Sequence, residues 1–62
     1  MRYRIEYTDN RRCTLVDGRQ NLILFLNQLT RKEVADIRKV YANGVSDSVL
    51  EKYEKYFRED MK

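Results

Sequence analysis

The chain has no histidine, no tryptophan and no proline, and only two glycines and one cysteine in 62 residues. The missing histidine removes the commonest general base and the commonest metal ligand. A zinc site takes about four Cys, His or carboxylate ligands, so one cysteine without histidine argues against a metal centre. A Ser-His-Asp or Cys-His arrangement is excluded outright. Cys13 has no second cysteine with which to close a disulfide inside the chain, which fits a reducing compartment. It reads as a small buried apolar residue, because Arg12 alone is thin activation for a thiol.

Long apolar runs are also missing. The longest, Leu22 to Leu26, is five residues, far short of the roughly 20 of a membrane span. The opening Met1-Arg2-Tyr3-Arg4-Ile5-Glu6 lacks the apolar stretch of a signal peptide. The expectation is a cytoplasmic protein with no membrane partner, no cofactor and no metal. Catalysis is not expected, since so short a chain has little room for a water-excluding pocket.

What is present is a globular composition: 42% apolar and 37% charged residues, with a net charge of +3. That is too apolar and too balanced for a disordered tail. The length sets a limit of one small domain, residues 1–62. A chain this short buries only about 60% of its unfolded surface. Without disulfide or metal it rests on a small core or on a partner.

Tyr3, Ile5 and Tyr7 alternate with Arg2, Arg4, Glu6 and Thr8, the period of a half-buried strand. Asp9-Asn10 signals a turn, and a second strand is predicted over Arg12 to Val16. A two-residue loop would set Ile5 opposite Thr14. A three-residue loop, Asp9-Asn10-Arg11, sets Tyr7 opposite Cys13 and Ile5 opposite Leu15, and it is preferred because it keeps apolar residues on one face. The buried face is then Tyr3, Ile5, Tyr7, Cys13 and Leu15. The open face carries Arg2, Arg4, Glu6, Thr8, Arg12, Thr14 and Val16.

A helix is predicted to start at Asp17, with Gln20 completing a capping box. Leu22, Phe25, Leu26 and Leu29 form its stripe, and Leu24 lies nearly opposite. Such a helix is covered on more than one side, by the C-terminal helix or by a second copy of the chain. Thr30-Arg31-Lys32-Glu33 is another capping box. After it, Val34, Ile37 and Tyr41 have helical spacing with Asn43-Gly44 as a stop, yet Ile37 to Tyr41 also alternates like a strand. Both readings stand. Ser48 and Glu51 then cap a final helix reaching about residue 60, with Val49, Leu50, Tyr53, Tyr56 and Phe57 on one side. Glu51/Lys55 and Glu54/Arg58 are spaced as supporting pairs. The expected fold is α+β, ordered ββαβα, with ββααα as the alternative.

Residues 1–31 carry six arginines against Glu6, Asp9 and Asp17, while residues 32–62 carry seven bases and seven acids. The basic excess is N-terminal and entirely arginine, the side chain suited to bidentate grip on phosphate or carboxylate. The candidate binding residues are Arg2, Arg4 and Arg12 on the open face, with Arg11 at the hairpin tip. The competing reading is a solvated face that protects the sheet. Arg31, Lys32, Arg38 and Lys39 read as a solvated face, because Glu33 and Asp36 interleave with them. Tyr3, Tyr7, Tyr53 and Tyr56 read as core and Tyr41 is left open, although tyrosines can also stack nucleobases.

Ile37-Arg38-Lys39-Val40-Tyr41, Asn43 to Val49, and Lys52-Tyr53-Glu54-Lys55-Tyr56, together with the opening strand, resemble short phage and prophage proteins of Gram-positive bacteria. Some phage proteins of this size are anti-CRISPR inhibitors. The resemblance implies a non-enzymatic, phage-encoded protein that binds and inhibits or modulates a host protein or ribonucleoprotein. Because the chain is basic, mimicry of DNA charge is not the expected mechanism. The alternative is a small nucleic-acid-binding accessory protein that contacts phosphates through the same arginines. A homodimer with Leu24 in its interface is a third expectation.

Overall fold

The alternation around Ile5 builds the strand on which everything else is assembled. In the computed structural model, which describes residues 1–58, β1 (Arg2–Tyr7) lies between β2 (Thr14–Asp17) and β3 (Val34–Val40). A fourth strand, β4 (Ser46–Ser48), completes the antiparallel sheet in the order β2-β1-β3-β4. Helix α1 (Arg19–Leu26) connects β2 to β3, and a short helix α2 (Leu50–Tyr53) runs into a 3₁₀ turn at Glu54–Tyr56. The fold is α+β, and the third strand is the correct reading of residues 34–41. The observed order is ββαββα, one strand more than expected.

The core is one cluster: Tyr3 and Ile5 of β1, Leu22 and Leu26 of α1, Leu29, Val34 and Ile37 of β3, and Tyr53 of α2. Ile5, Leu22, Leu26, Val34 and Ile37 are fully buried, each contributing roughly 1.5–3 kcal/mol of burial. Val34 and Ile37 are three apart, which suggested a helix. A β-bulge reconciles that spacing with a strand. Glu6 faces Asp36 while Tyr7 faces Val34, so Ala35 is an extra residue and both apolar side chains reach the covered face.

The hairpin register differs from the preferred one. Ile5 pairs with Thr14, Arg4 with Leu15 and Tyr3 with Val16. Thr14 and Val16 therefore share the covered face, while Leu15 stands exposed on the open one. The loop is much longer than a tight turn, so turn chemistry does not set the register. Two interactions hold Thr14 inward: its hydroxyl lies 2.6 Å from that of Tyr7, and Val16 packs against the core. Cys13 belongs to this loop and is exposed, not buried.

The helix ends also differ. Gly18, at φ +93° and ψ 149°, is the N-cap of α1 and no side chain caps it. This backbone region is open to glycine alone. Asn21 instead donates to the Asp17 carbonyl at 2.7 Å. Phe25 is partly exposed, so the buried stripe narrows to Leu22, Leu26 and Leu29. The Thr30/Glu33 box forms as read, with both hydrogen bonds present, but it caps a 3₁₀ turn that leads into β3. Gly44, at φ +92°, makes the β3–β4 turn. Ser48 lies in β4 and donates to Asp36, so it does not cap α2. The last helical segment stops at Tyr56, and Phe57 is extended. The Arg58 amide donates to the Leu29 carbonyl at 2.9 Å. The remainder of the expected helix, residues 59–60, lies outside the described residues.

Candidate functional site

The four arginines singled out from the sequence do not form one surface. Arg2 and Arg4 point to the open face of β1, but Arg11 and Arg12 lie in the loop between β1 and β2. Arg4 is held by Glu6 at 2.9 Å. Arg11 is held by Asp9 at 2.9 Å and reaches Glu33 at 3.4 Å, with its guanidinium 4.4 Å from the centre of the Tyr7 ring. Asp9 is correspondingly lowered below the ordinary carboxylate range, chiefly by the Arg11 amide and then by its side chain. Arg2 and Arg12 alone of the four have no side-chain partner among the described residues, and they sit on separate elements.

The acids of the C-terminal half are taken both by a neighbour and from afar. Arg38 binds Asp36 at 3.1 Å, and Arg31 binds Glu54 at 3.1 Å. Glu54 is therefore taken by Arg31 and not by Arg58, and no Glu51–Lys55 ion pair forms. Burial pushes Asp36 up, but the Ser48 hydroxyl, Arg38 and the Ile37 amide outweigh it, leaving its pKa lowered. Counting charge by chain halves hides this traffic, because Arg11 reaches Glu33 and Arg31 reaches Glu54 across the halves.

Four of the cations that the ion pairs leave over line one cleft. Tyr3, Arg19, Lys39, Lys52, Tyr53, Lys55 and Tyr56 line a space of about 390 Å³, within the size range of small-ligand sites. Tyr3 and Lys39 are direct cross-strand partners on the covered face. Arg19 opens α1, Lys52 and Tyr53 belong to α2, and Lys55 and Tyr56 to the 3₁₀ turn. None of the four cations has a carboxylate partner among the described residues, and no acid lines the cleft. Asp47 stands opposite Lys39 in the β3–β4 register without forming an ion pair.

Tyrosines organise these cations. Arg19 donates to the Tyr56 hydroxyl at 3.0 Å and lies 5.8 Å from the centres of both the Tyr53 and Tyr56 rings. The Lys55 ammonium is 5.4 Å from the Tyr56 ring and that of Lys39 is 5.4 Å from Tyr41. Contact with a ring face draws a cation in without neutralising it. Tyr56 also raises the Arg19 pKa, so this guanidinium is firmly charged. At the floor, the hydrogen bond with Tyr53 and then burial push Tyr3 up to about 12, so its hydroxyl stays protonated. The cleft offers ammonium, guanidinium and hydroxyl donors together, and its chemistry suits an anion.

Sequence reasoning placed Tyr3 and Tyr53 correctly in the core. It grouped Lys39 with Arg31, Lys32 and Arg38, whereas strand alternation sends Arg38 and Lys39 to opposite faces. Arg19, Lys52 and Lys55 carried no signal, since each has an acidic residue within four positions and reads as half of a local pair.

No family model matches this chain, no curated protein matches it in sequence, and no solved structure matches it. Among the described residues, no helix is long and apolar enough to cross a membrane.

Proposed function

We propose that this protein is a non-enzymatic binding protein whose partner is a single-stranded nucleic acid, held at the cleft between α1, α2 and the start of β1. One observation carries the reading: Arg19, Lys39, Lys52 and Lys55 gather there with three tyrosines and no lining carboxylate. Proteins that hold single strands without reading sequence combine a basic groove with aromatic side chains; here Tyr56 is the partly exposed ring, while Tyr3 and Tyr53 are buried beneath it in the core, so the cations are the main support. The nucleic-acid reading thus moves ahead of protein inhibition, and its contacts move from the hairpin arginines to the cleft. Titration of a fluorescent oligonucleotide at several salt concentrations tests it. Affinity is expected to fall steeply as salt rises, through counterion release. Absence of binding at low salt removes the reading.

A second reading rests on a different feature. Leu15, Leu24 and Phe25 are exposed together along β2 and α1, where they line a space of about 400 Å³, and β2 is an edge strand. An exposed apolar strip beside a free strand edge is how a sheet accepts a protein partner. This supports the phage-type protein that inhibits or modulates a host protein or ribonucleoprotein. Replacing Leu24 and Phe25 by Ser tests the second reading alone: loss of a captured host protein supports it, and unchanged capture removes it.

A further inference from the structure

We infer that the cleft is a subsite for a phosphomonoester at the end of a nucleotide chain. This rests on the nucleic-acid reading above and narrows it to a strand terminus.

The first ground is charge. Four cations face one space of about 390 Å³ with no acid in its lining. A backbone phosphodiester brings one negative charge. A terminal phosphomonoester brings about 1.5 to 2 at neutral pH, and three strong acceptor oxygens. The second ground is the donor set. Arg19 uses one nitrogen on Tyr56 and keeps other N–H donors of its five. Lys52 has no side-chain partner among the described residues, and Lys39 and Lys55 touch only ring faces. All three ammonium groups can therefore turn toward an anion without breaking an ion pair. The third ground is position. These cations come from the beginning of α1, from β3, and from α2 with its following turn. Drawn from separate parts of the chain yet lining one space, they suit a compact group at a chain end better than an extended backbone.

Three oligonucleotides of one sequence test this, bearing a 5′-phosphate, a 3′-phosphate or two hydroxyl ends, with binding read by anisotropy at fixed salt. A phosphorylated end is expected to bind about tenfold more tightly than the hydroxyl-ended strand. The advantage should shrink below about pH 6, where the second phosphate proton returns. Paired variants separate site from net charge. Lys52→Gln with Lys55→Gln should abolish the preference for a phosphorylated end. Arg2→Gln with Arg12→Gln, which removes the same charge away from the cleft, should leave it intact. Equal binding of all three strands, steep in salt, overturns the terminal subsite while the nucleic-acid reading survives. No binding of any strand overturns both. Equal loss of preference in the two paired variants also overturns the subsite, because net charge then accounts for it.

Discussion

The hydroxyls of Tyr3 and Tyr53 lie 3.4 Å apart, and their rings meet edge to face with centroids 5.8 Å apart. The pair joins the first strand to the last helix across 50 positions of sequence. It belongs both to the core and to the floor of the cleft. The chain's smallness explains the double duty: with so few buried side chains, the residues that close the core are also those that support the site.

This pair gives a titration prediction. Tyr3 is pushed up to about 12, first by its hydrogen bond with Tyr53 and then by burial. One of the five tyrosines should therefore ionise late in an absorbance titration near 295 nm. The sign follows from the raised value. The stabilisation is complete below the unfolded tyrosine value near 10 and is lost as pH climbs from there through 12. Tyr3→Phe should abolish the late step. It should cost only about 0.5–1 kcal/mol by urea unfolding, since 3.4 Å is long for a hydroxyl pair.

Asp36 should anchor β4. It accepts from the Ser48 hydroxyl at 2.7 Å and from Arg38 at 3.1 Å, and its pKa is lowered despite the opposing effect of burial. Its contribution is present above the unfolded carboxyl value near 3.9. It is lost as pH falls through the lower folded value. Asp36→Asn should cost about 1 kcal/mol at pH 7, and the cost should shrink as pH falls through the lowered folded value. Hydrogen exchange should show Ser46–Ser48 amides opening faster in the variant, with Ile5 unaffected.

Strong local patterns were legible: the alternation about Ile5, the Leu22/Leu26/Leu29 stripe, and the Thr30/Glu33 box. The hairpin register was not, because the expectation rested on a tight turn while the loop is long and Thr14 satisfies its hydroxyl on Tyr7. The bulge at Ala35 turned a strand into a helical spacing. Ser46-Asp47-Ser48 resembles a cap because serine and aspartate do favour caps. Its pairing with Arg38, Lys39 and Val40 is a long-range fact. The cleft was illegible for the same reason: only the fold decides which acids are already taken.

The buried and exposed sides of α1 should respond unequally to truncation. Leu26 is fully buried, while Leu24 is 61% exposed. Leu26→Ala should cost about 2–5 kcal/mol, enough to unfold a domain of this size at 37 °C. Leu24→Ala should stay within about 0.5 kcal/mol in dilute monomeric solution. If the chain pairs with a second copy through Leu24, the same variant lowers the mass seen by light scattering at high concentration. A concentration-independent monomer in both proteins removes the homodimer.

The open face carries two like-charged rows. Arg4 stands across from Arg38, and Glu6 across from Asp36. Like charges directly opposed on neighbouring strands are unfavourable, and here each is offset along its own strand, Arg4 by Glu6 at 2.9 Å and Arg38 by Asp36 at 3.1 Å. Exchanging the β1 pair, Arg4→Glu with Glu6→Arg, would keep composition, net charge and the pairing along β1. It would set a carboxylate across from Arg38 and a guanidinium across from Asp36, replacing two repulsive contacts by two attractive ones. At about 0.2–1 kcal/mol for each cross-strand pair, urea unfolding at low salt should show a gain near 1 kcal/mol that shrinks as salt is raised. Oligonucleotide affinity should not change, because the exchanged residues face away from the cleft. If affinity fell with the exchange, the open face and not the cleft would be the binding surface, and the arginines first singled out from the sequence would regain their role.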